Sequence, residues 1–219
     1  MIAVRLGALQ EKHRGRLREI LDATAVFRPD EVSVALELFD ERLRTADGEL
    51  PAADCGRRTA GSDLRTVGDR KPLPAEPLDY EFVGAFDDDG ELIGYMCFGA
   101  APSTDRTYDL YWIATHPSAQ GRGVGSLLLA EAETRLRDRN GRLLVVETSS
   151  RDEYAATHRF YTSRGYTEVA RLRDFYAPGD DRVIYTKRLD PTARTSRSGV
   201  VGPQSDVRSP QSKSNLAPE

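Results

Sequence analysis

The hexapeptide Gln120-Gly-Arg-Gly-Val-Gly125 is the feature that most restricts what this chain can fold into. It lies between an apolar run, Leu110 to Thr115, which predicts a strand, and an amphipathic run, Ser126 to Arg139, which predicts a helix. A glycine-rich turn that opens a helix points several unpaired backbone N–H groups in one direction, and the helix dipole adds positive potential there. The loop therefore predicts an anion site suited to a phosphate or pyrophosphate.

Two familiar phosphate-binding patterns fit this loop poorly. A P-loop for nucleoside triphosphates needs a lysine directly after its last glycine, and no lysine follows Gly125. A dinucleotide fingerprint is nearly matched, because Gly121 and Gly123 fit, Ser126 takes the place of the third glycine and Glu147 ends the next strand. However, five residues separate the first strand from the glycines and no second βαβ half follows. A dinucleotide-binding enzyme is therefore the minor alternative.

A third pattern, Gln/Arg-x-x-Gly-x-Gly/Ala, is satisfied in full by Gln120, Gly123 and Gly125. This pattern resembles the acetyl-CoA loop of the GNAT family of N-acetyltransferases. The segment from Tyr154 to Tyr166 resembles the later signature of the same family, a helix with the pair Phe160-Tyr161 that ends at a glycine followed by an aromatic residue. The two motifs stand in the order of the family, with one strand between them, and the resemblance covers roughly Tyr80 to Leu189.

The resemblance implies an α/β fold with a mixed, mostly antiparallel central sheet flanked by helices. In that fold the fourth and fifth strands splay apart and leave a slot for the pantetheine arm of the cofactor. Local apolar patterns predict the same order of elements: two helices, three strands, a helix, a strand, a helix and two strands. The six predicted strands of this order are Tyr80–Phe86, Glu91–Gly99, Thr107–Thr115, Arg142–Thr148, Glu168–Phe175 and Arg182–Arg188, and Ile2–Leu6 is a further short strand ahead of the two helices.

Two helices precede the sheet in this prediction, Gln10–Ala23 and Asp30–Thr45, the second with Asp30 as its N-cap. Asp152 is the predicted N-cap of the helix with the Phe-Tyr pair, and Gly165 is its predicted left-handed stop. The helix that follows the glycine loop is expected to turn one apolar set towards the core, namely Leu127, Leu128, Ala132 and Leu136.

Composition limits the other classes of function. The chain has 219 residues, 39% of them hydrophobic, which suits one domain over residues 1–189, a flexible insert over 46–77 and a disordered tail over 190–219. Its net charge of −4 gives no general case for binding nucleic acid or an anionic membrane. The sequence contains no apolar run of a length that spans a bilayer, no signal-peptide pattern and no metal-binding spacing of its two cysteines. The predicted location is the cytoplasm, and a homodimer is kept open.

The resemblance also implies a set of cofactor-binding positions. Ile113, Ala114 and Thr115 would pair with the pantetheine through their backbone. Tyr154 stands where many relatives carry an asparagine that contacts the cofactor, although two extra residues separate Glu147 from Tyr161 in this chain. The pyrophosphate would be held by Gln120, Gly121, Arg122, Gly123, Val124, Gly125 and Ser126.

Transfer of an acetyl group to an amine requires a neutral amine, yet a lysine (pKa about 10.4) or an α-amine (about 8) is mostly protonated at neutral pH. The site therefore needs a base for the amine and an acid for the departing thiolate. Glu147 is the first candidate base, since it aligns with the glutamate proposed as base in ribosomal-protein alanine acetyltransferases. Asp109 is the second, at the position of the catalytic glutamate of related histone acetyltransferases. Tyr161 is the candidate acid.

The acceptor is less clearly indicated. Asp109, Tyr111, Glu147 and Asp152 predict an acidic, aromatic rim that favours a cationic amine, and a small-molecule amine or amino acid is preferred to a protein amine. The segment Asp174–Tyr185 is long for a simple hairpin and is expected to shape the acceptor pocket. A protein that binds acetyl-CoA without transferring it, as a regulatory module, is the alternative from another functional class.

Overall fold

The computed structural model describes residues 4–46 and 80–189. These residues form a seven-stranded sheet in the order β1-β2-β3-β4-β5-β7-β6. The β4–β5 pair is parallel and the other neighbouring pairs are antiparallel. The strands are β1 (Arg5–Ala8), β2 (Glu81–Phe86), β3 (Leu92–Ala100), β4 (Thr107–Thr115), β5 (Leu143–Ser149), β6 (Thr167–Ala177) and β7 (Asp180–Arg188).

Helices cover both faces of this sheet, namely α1 (Arg14–Thr24), α2 (Pro29–Ala46), α3 (Val124–Asp138) and α4 (Ala155–Thr162). The predicted mixed, mostly antiparallel α/β fold is therefore confirmed. In residues 4–46 and 80–189, no helix combines the length and the apolarity that a bilayer crossing needs. The predicted insert over 46–77 (apart from Ala46, the last residue of α2) and the predicted tail over 190–219 lie outside the described residues.

Both predicted N-caps were wrong. Asp30 lies inside the first turn of α2, where the carboxylate of Glu31 accepts the backbone N–H of Arg28 at 2.7 Å. Asp152 begins a 3₁₀ turn, Asp152–Tyr154, and α4 starts only after it. A short 3₁₀ turn looks like the first turn of a helix in sequence, so the start was placed too early. The predicted stop is correct, since Gly165 has a φ of +81°.

The core lies in two layers, one on each face of the sheet. One cluster joins α1 and α2 to β2 and β3, with Leu17, Phe39 and Tyr95 fully or almost fully buried. The other joins α3 and the α4 region to the opposite face, and includes Leu110, Leu128, Leu129, Val146 and Tyr161. Leu127, predicted to point inward, is 39% exposed, and Leu129 takes the inward position instead.

The parallel pair β4–β5 separates part-way along its length. Its register runs from Thr107 opposite Leu143 to Leu110 opposite Val146 and stops there. Beyond this point β4 stays paired with β3 as far as Thr115, and β5 stays paired with β7 as far as Ser149. The predicted splay of the two strands is thus confirmed, and it opens the middle of the sheet.

Candidate active site

A slot occupies the space where β4 and β5 separate. It has a volume of about 150 Å³ and is closed on one side by the connection between α1 and α2. Tyr111 widens this region of β4, because it is an extra residue between the paired positions Leu110 and Trp112, which makes a β-bulge. The slot is lined by Thr24, Val26, Phe27, Leu110 to Thr115, Gln120, Val146 to Thr148, Tyr154, Thr157 and Tyr161.

The slot opens at one end into a cavity of about 580 Å³ beside the glycine loop, which we call the loop cavity. The two share Ile113, Thr115, Gln120 and Tyr161, so they adjoin each other. The predicted loop residues that line the loop cavity are Gln120, Gly121, Gly123, Val124, Gly125 and Ser126. Arg122 is exposed and lies outside this lining, so its neighbours in sequence face the cavity and its own side chain does not.

Positive backbone angles shape the glycine loop. Gly121 has a φ of +73°, and Gly123, the N-cap of α3, has a φ of +85°. No atom lies within 4 Å of the place where a Cβ of either residue would stand, so the conformation and not crowding requires glycine here. The first N–H groups of α3 have no partner within the helix and lie next to the cavity. This arrangement suits an anion.

Arg164 adds a positive charge to this end of α3. Its guanidinium donates one hydrogen bond to Oγ of Ser126 and another, of 2.8 Å, to the carbonyl of Phe160. The guanidinium carbon also lies 3.9 Å from the centre of the Phe160 ring, a cation–π contact that fixes its position. Arg164 lines the loop cavity. Sequence analysis missed it, because only the packing of the α4 end against α3 brings it to the loop.

The other end of the slot opens into a cavity of about 370 Å³, which we call the carboxylate cavity. Glu31, Asp109, Glu147 and Arg182 supply its charged groups. It shares Leu110 to Trp112, Glu147, Thr148 and Tyr154 with the slot. Its aromatic walls are Phe27, Tyr111, Trp112, Tyr154 and Tyr176. The predicted acidic, aromatic rim is therefore present except for Asp152, which is exposed and is not part of the lining.

The two candidate bases lie on the same face of the sheet, because Asp109 is opposite Val145 and Glu147 is two residues further along β5. Glu147 accepts a hydrogen bond from the guanidinium of Arg182 and forms an ion pair with it. No hydrogen bond or ion pair to the carboxylate of Asp109 is found within the part of the chain that the structure describes. Burial raises the pKa of Asp109, the charge of Glu147 raises it further, and Arg182 partly offsets both effects.

Tyr161 lies where the slot meets the loop cavity and is 2% exposed. Its ring packs against Phe160, Tyr166 and Tyr185, with centroids 5.2, 5.4 and 6.1 Å away. Burial raises the pKa of the phenol well above its ordinary value, so the hydroxyl stays protonated. A protonated hydroxyl at this place can donate its proton to a thiolate leaving group as the C–S bond breaks.

Comparison with known proteins agrees with this arrangement. Residues 58–166 match the model of the acetyltransferase (GNAT) family. The chain is 37% identical to a crystal structure from Desulfovibrio desulfuricans assigned to that family, over 87% of this chain and 100% of the other, with a TM-score of 0.66. The chain belongs to the GNAT family of acetyltransferases. The resemblance on which the fold was predicted is thereby confirmed, as is the enzyme class.

More distant structures share the GNAT fold. The ribosomal-protein-S18-alanine N-acetyltransferase of Escherichia coli is 16% identical, with a TM-score of 0.58 over 86% of this chain and 95% of the other. An acetyltransferase from Salmonella typhimurium, solved with its cofactor acetyl-CoA, is 19% identical, with a TM-score of 0.57 over the same shares. No curated protein sequence matches the chain.

The remaining predicted site residues fall into two groups along the GNAT channel. Ile113 and Thr115 line both the slot and the loop cavity, and Ala114 lines the slot. Tyr154, predicted to contact the cofactor, lines the slot and the carboxylate cavity and not the loop cavity. Burial raises the pKa of Tyr154 to about 12. The roles of these residues, like the predicted cytoplasmic location and homodimer, stay predictions.

The segment Asp174–Tyr185 supplies two further wall residues that were not named from the sequence, Tyr176 and Arg182. β6 bulges here, because Leu172 pairs with Arg182 and Ala177 with Asp180, which leaves four residues of β6 opposite one of β7. A bulge of this kind bends the strand and redirects its side chains, and Tyr176 lies in the carboxylate cavity as a result.

Proposed function

We propose that this protein is an acetyl-CoA-dependent N-acetyltransferase that moves an acetyl group to a primary amine by direct attack, with both substrates bound together. The lining residues that the slot shares with both cavities carry this proposal. The slot shares Thr115 and Tyr161 with the loop cavity, and it shares Glu147 and Tyr154 with the carboxylate cavity. A donor entering from the glycine loop and an amine entering from the acidic end would therefore meet in the slot.

The residues present fit acetyl-CoA. The turn from Gly121 to Ser126, with Arg164 beside it, offers backbone N–H groups and a positive charge for the pyrophosphate. Beyond Leu110, the backbone groups of β4 that face β5 lose their strand partner, so those of Ile113 to Thr115 are available to the amides of the pantetheine. The carbonyl of Thr115 is the exception, since it accepts a hydrogen bond of 3.2 Å from Nε2 of Gln120. The predicted co-substrate agrees with the relative that was solved with acetyl-CoA.

The chemistry follows from the groups that line the slot and the carboxylate cavity. Acetyl-CoA supplies a thioester carbonyl, and transfer forms a C–N bond and breaks a C–S bond. Glu147 accepts the proton that the amine loses, since it borders both the slot and the carboxylate cavity. Asp109 borders the carboxylate cavity alone and holds the incoming ammonium. Tyr161 donates its phenolic proton to the departing sulfur. Holding both reactants in one channel lowers the entropic part of the barrier.

A dinucleotide enzyme is disfavoured by the sheet, in which a single parallel pair is found among the described strands. Thermal melting with acetyl-CoA, CoA, NAD(P)H and ATP tests the donor directly. A ligand at about 100 times its Kd should add about 2.7 kcal/mol to the free energy of unfolding. We expect stabilisation by acetyl-CoA and CoA, followed by thiol release when a primary amine is added. Stabilisation by NAD(P)H alone would reject the proposal, and CoA binding without transfer to any amine would indicate a regulatory module.

A further inference from the structure

Arg182 is the basic residue of the carboxylate cavity, and its place in the fold is fixed by three elements. It lies near the start of β7, opposite Ser149 of β5 in the register, and on the same face of the sheet as Glu147. Its guanidinium forms the ion pair with Glu147 on one side, and the centre of the Phe175 ring lies 4.9 Å from its central carbon on another. These contacts hold the guanidinium at the wall of the cavity.

The hydrogen-bonding capacity of Arg182 is largely unused. A guanidinium has five N–H donors. Within residues 4–46 and 80–189, its hydrogen bonds go to Glu147 alone, and its Nε is buried with no partner. The side chain of Arg182 is nevertheless 29% exposed and lines the cavity, so its terminal N–H groups, and not the buried Nε, are the donors that an acceptor on a ligand can reach. The group that fits the planar fork of arginine best is a carboxylate bound through two parallel hydrogen bonds.

Two carboxylates lie on the same face of the sheet as Arg182, Glu147 on the neighbouring strand β5 and Asp109 on β4. Within residues 4–46 and 80–189, the carboxylate of Asp109 has no hydrogen bond or ion pair, and the carboxylate of Glu147 is held only by Arg182. A simple amine would satisfy Asp109 and leave the donors of Arg182 unused. A simple anion would satisfy Arg182 and be repelled by Asp109. A molecule that carries an amine and a carboxylate close together pairs with both Asp109 and Arg182.

We propose, on the basis of the proposed function, that the acceptor is an amino acid or a similar amino-carboxylate. Its carboxylate is bound by Arg182, and its amine lies between Asp109 and Glu147. The substrate carboxylate replaces Glu147 on the guanidinium. Because the ion pair between these partly exposed side chains contributes little net free energy, this exchange is easily made. Glu147 is then released from the guanidinium, and its carboxylate is free to accept a hydrogen bond from the amine beside it.

The test compares acceptors that share an amine and differ at the carboxylate. The purified full chain, with acetyl-CoA, is assayed by thiol release on a panel of α-amino acids and on the carboxamide and methyl ester of each. The α-amines of the amides and esters are at least as easily deprotonated, so a preference for the acid cannot come from the amine. We expect kcat/KM to favour the acid by about 10- to 100-fold, the scale of a charged hydrogen-bonded contact.

Two variants locate that preference. Arg182→Gln should raise the KM for the amino acid by a much larger factor than the KM for its carboxamide, so that the preference for the acid is lost, whereas Arg182→Lys should restore part of that preference. Arg171→Gln is the matched control, because Arg171 bonds to Glu168 and Asp181 on β6 and β7 and does not line the cavity. Melting with and without CoA checks that each variant is folded and still binds the donor.

The outcomes separate this inference from the proposed function. Equal use of acids and carboxamides by the wild type, or an equal loss for both in Arg182→Gln, would overturn the role of Arg182 and leave an N-acetyltransferase of other amines. Stabilisation by CoA without transfer to any amine would reject the proposed function, and this inference with it. A preference for the acid that is lost in Arg182→Gln and unchanged in Arg171→Gln would support it.

Discussion

The two ends of the channel are built in different ways. Much of the loop cavity comes from two short continuous segments, residues 119–126 and 153–164, and the backbone of the first supplies the anion-binding groups. The carboxylate cavity takes its walls from the α1–α2 region and from four strands, β4, β5, β6 and β7, and side chains supply all of its charges. A site made from local backbone is visible in sequence, whereas a site made from distant side chains depends on strand register.

The largest effect is expected at the acceptor end. Glu147→Gln should lower kcat/KM by about 10²- to 10⁴-fold, the usual contribution of a general base. The CoA-induced rise in melting temperature should be unchanged, because Glu147 does not line the loop cavity. The matched variant Asp109→Asn should mainly raise the KM for the amine. The reverse pattern, with the loss of kcat in Asp109→Asn, would move the base to β4.

The next largest effect is expected where the slot meets the loop cavity. Tyr161→Phe should lower kcat by about 10²-fold, the lower end of the range for a general acid. Burial raises the pKa of this phenol above its ordinary value, so the ratio of the wild-type rate to the variant rate should stay constant up to about pH 10. Steady-state rates measured across this pH range check both statements.

Tyr185→Phe is the control for this change, because the Tyr185 ring is stacked 6.1 Å from that of Tyr161 and its hydroxyl reaches Glu168 and not the channel. We expect little change in its kcat. Full activity in Tyr161→Phe would leave the tyrosine as a packing residue of the core.

A smaller effect is expected in the loop cavity. Gly123→Ala should lower the free energy of unfolding by about 1–2 kcal/mol, the cost of placing a Cβ at positive φ, and should weaken CoA binding as the loop adjusts. Gly15→Ala is the opposite case, because Gly15 lies in α1 and no atom lies within 4 Å of the new Cβ. This change should raise the free energy of unfolding by about 0.5–1 kcal/mol. Denaturant unfolding and CoA titration measure both. Unchanged CoA affinity in Gly123→Ala would mean that the loop conformation does not determine binding.

The smallest effect concerns the stability of the acceptor end. The folded pKa of Asp109 is above its unfolded value, so its ionised form destabilises the fold above that folded pKa. Asp109→Asn should therefore melt slightly higher than the wild type at neutral pH, by at most about 2–4 °C. The difference should disappear as the pH falls below about 3.9, where the unfolded carboxyl is protonated too. A lower melting temperature at neutral pH would mean that the carboxylate makes a stabilising contact.

The contrast between the two ends also explains how far the sequence could be interpreted. The strand Thr107–Thr115, the glycine loop and the Phe-Tyr helix were predicted closely, because each depends on local periodicity or on glycine conformation. Arg182 was not identified, because it reaches Glu147 only through the antiparallel pairing of β5 with β7. The role of Arg122 at the phosphate stays a prediction, because its side chain is exposed and its position in a motif does not give its direction.

The separation of β4 from β5 has a consequence for hydrogen exchange. Successive N–H groups of a strand point to opposite neighbours, so beyond Leu110 the amides of β4 that face β3 keep their partners and those that face β5 do not. A strand in the middle of the sheet therefore carries fast- and slow-exchanging amides in alternation. A ligand in the slot would protect the fast set alone, so the exchange pattern of one strand would record occupancy residue by residue.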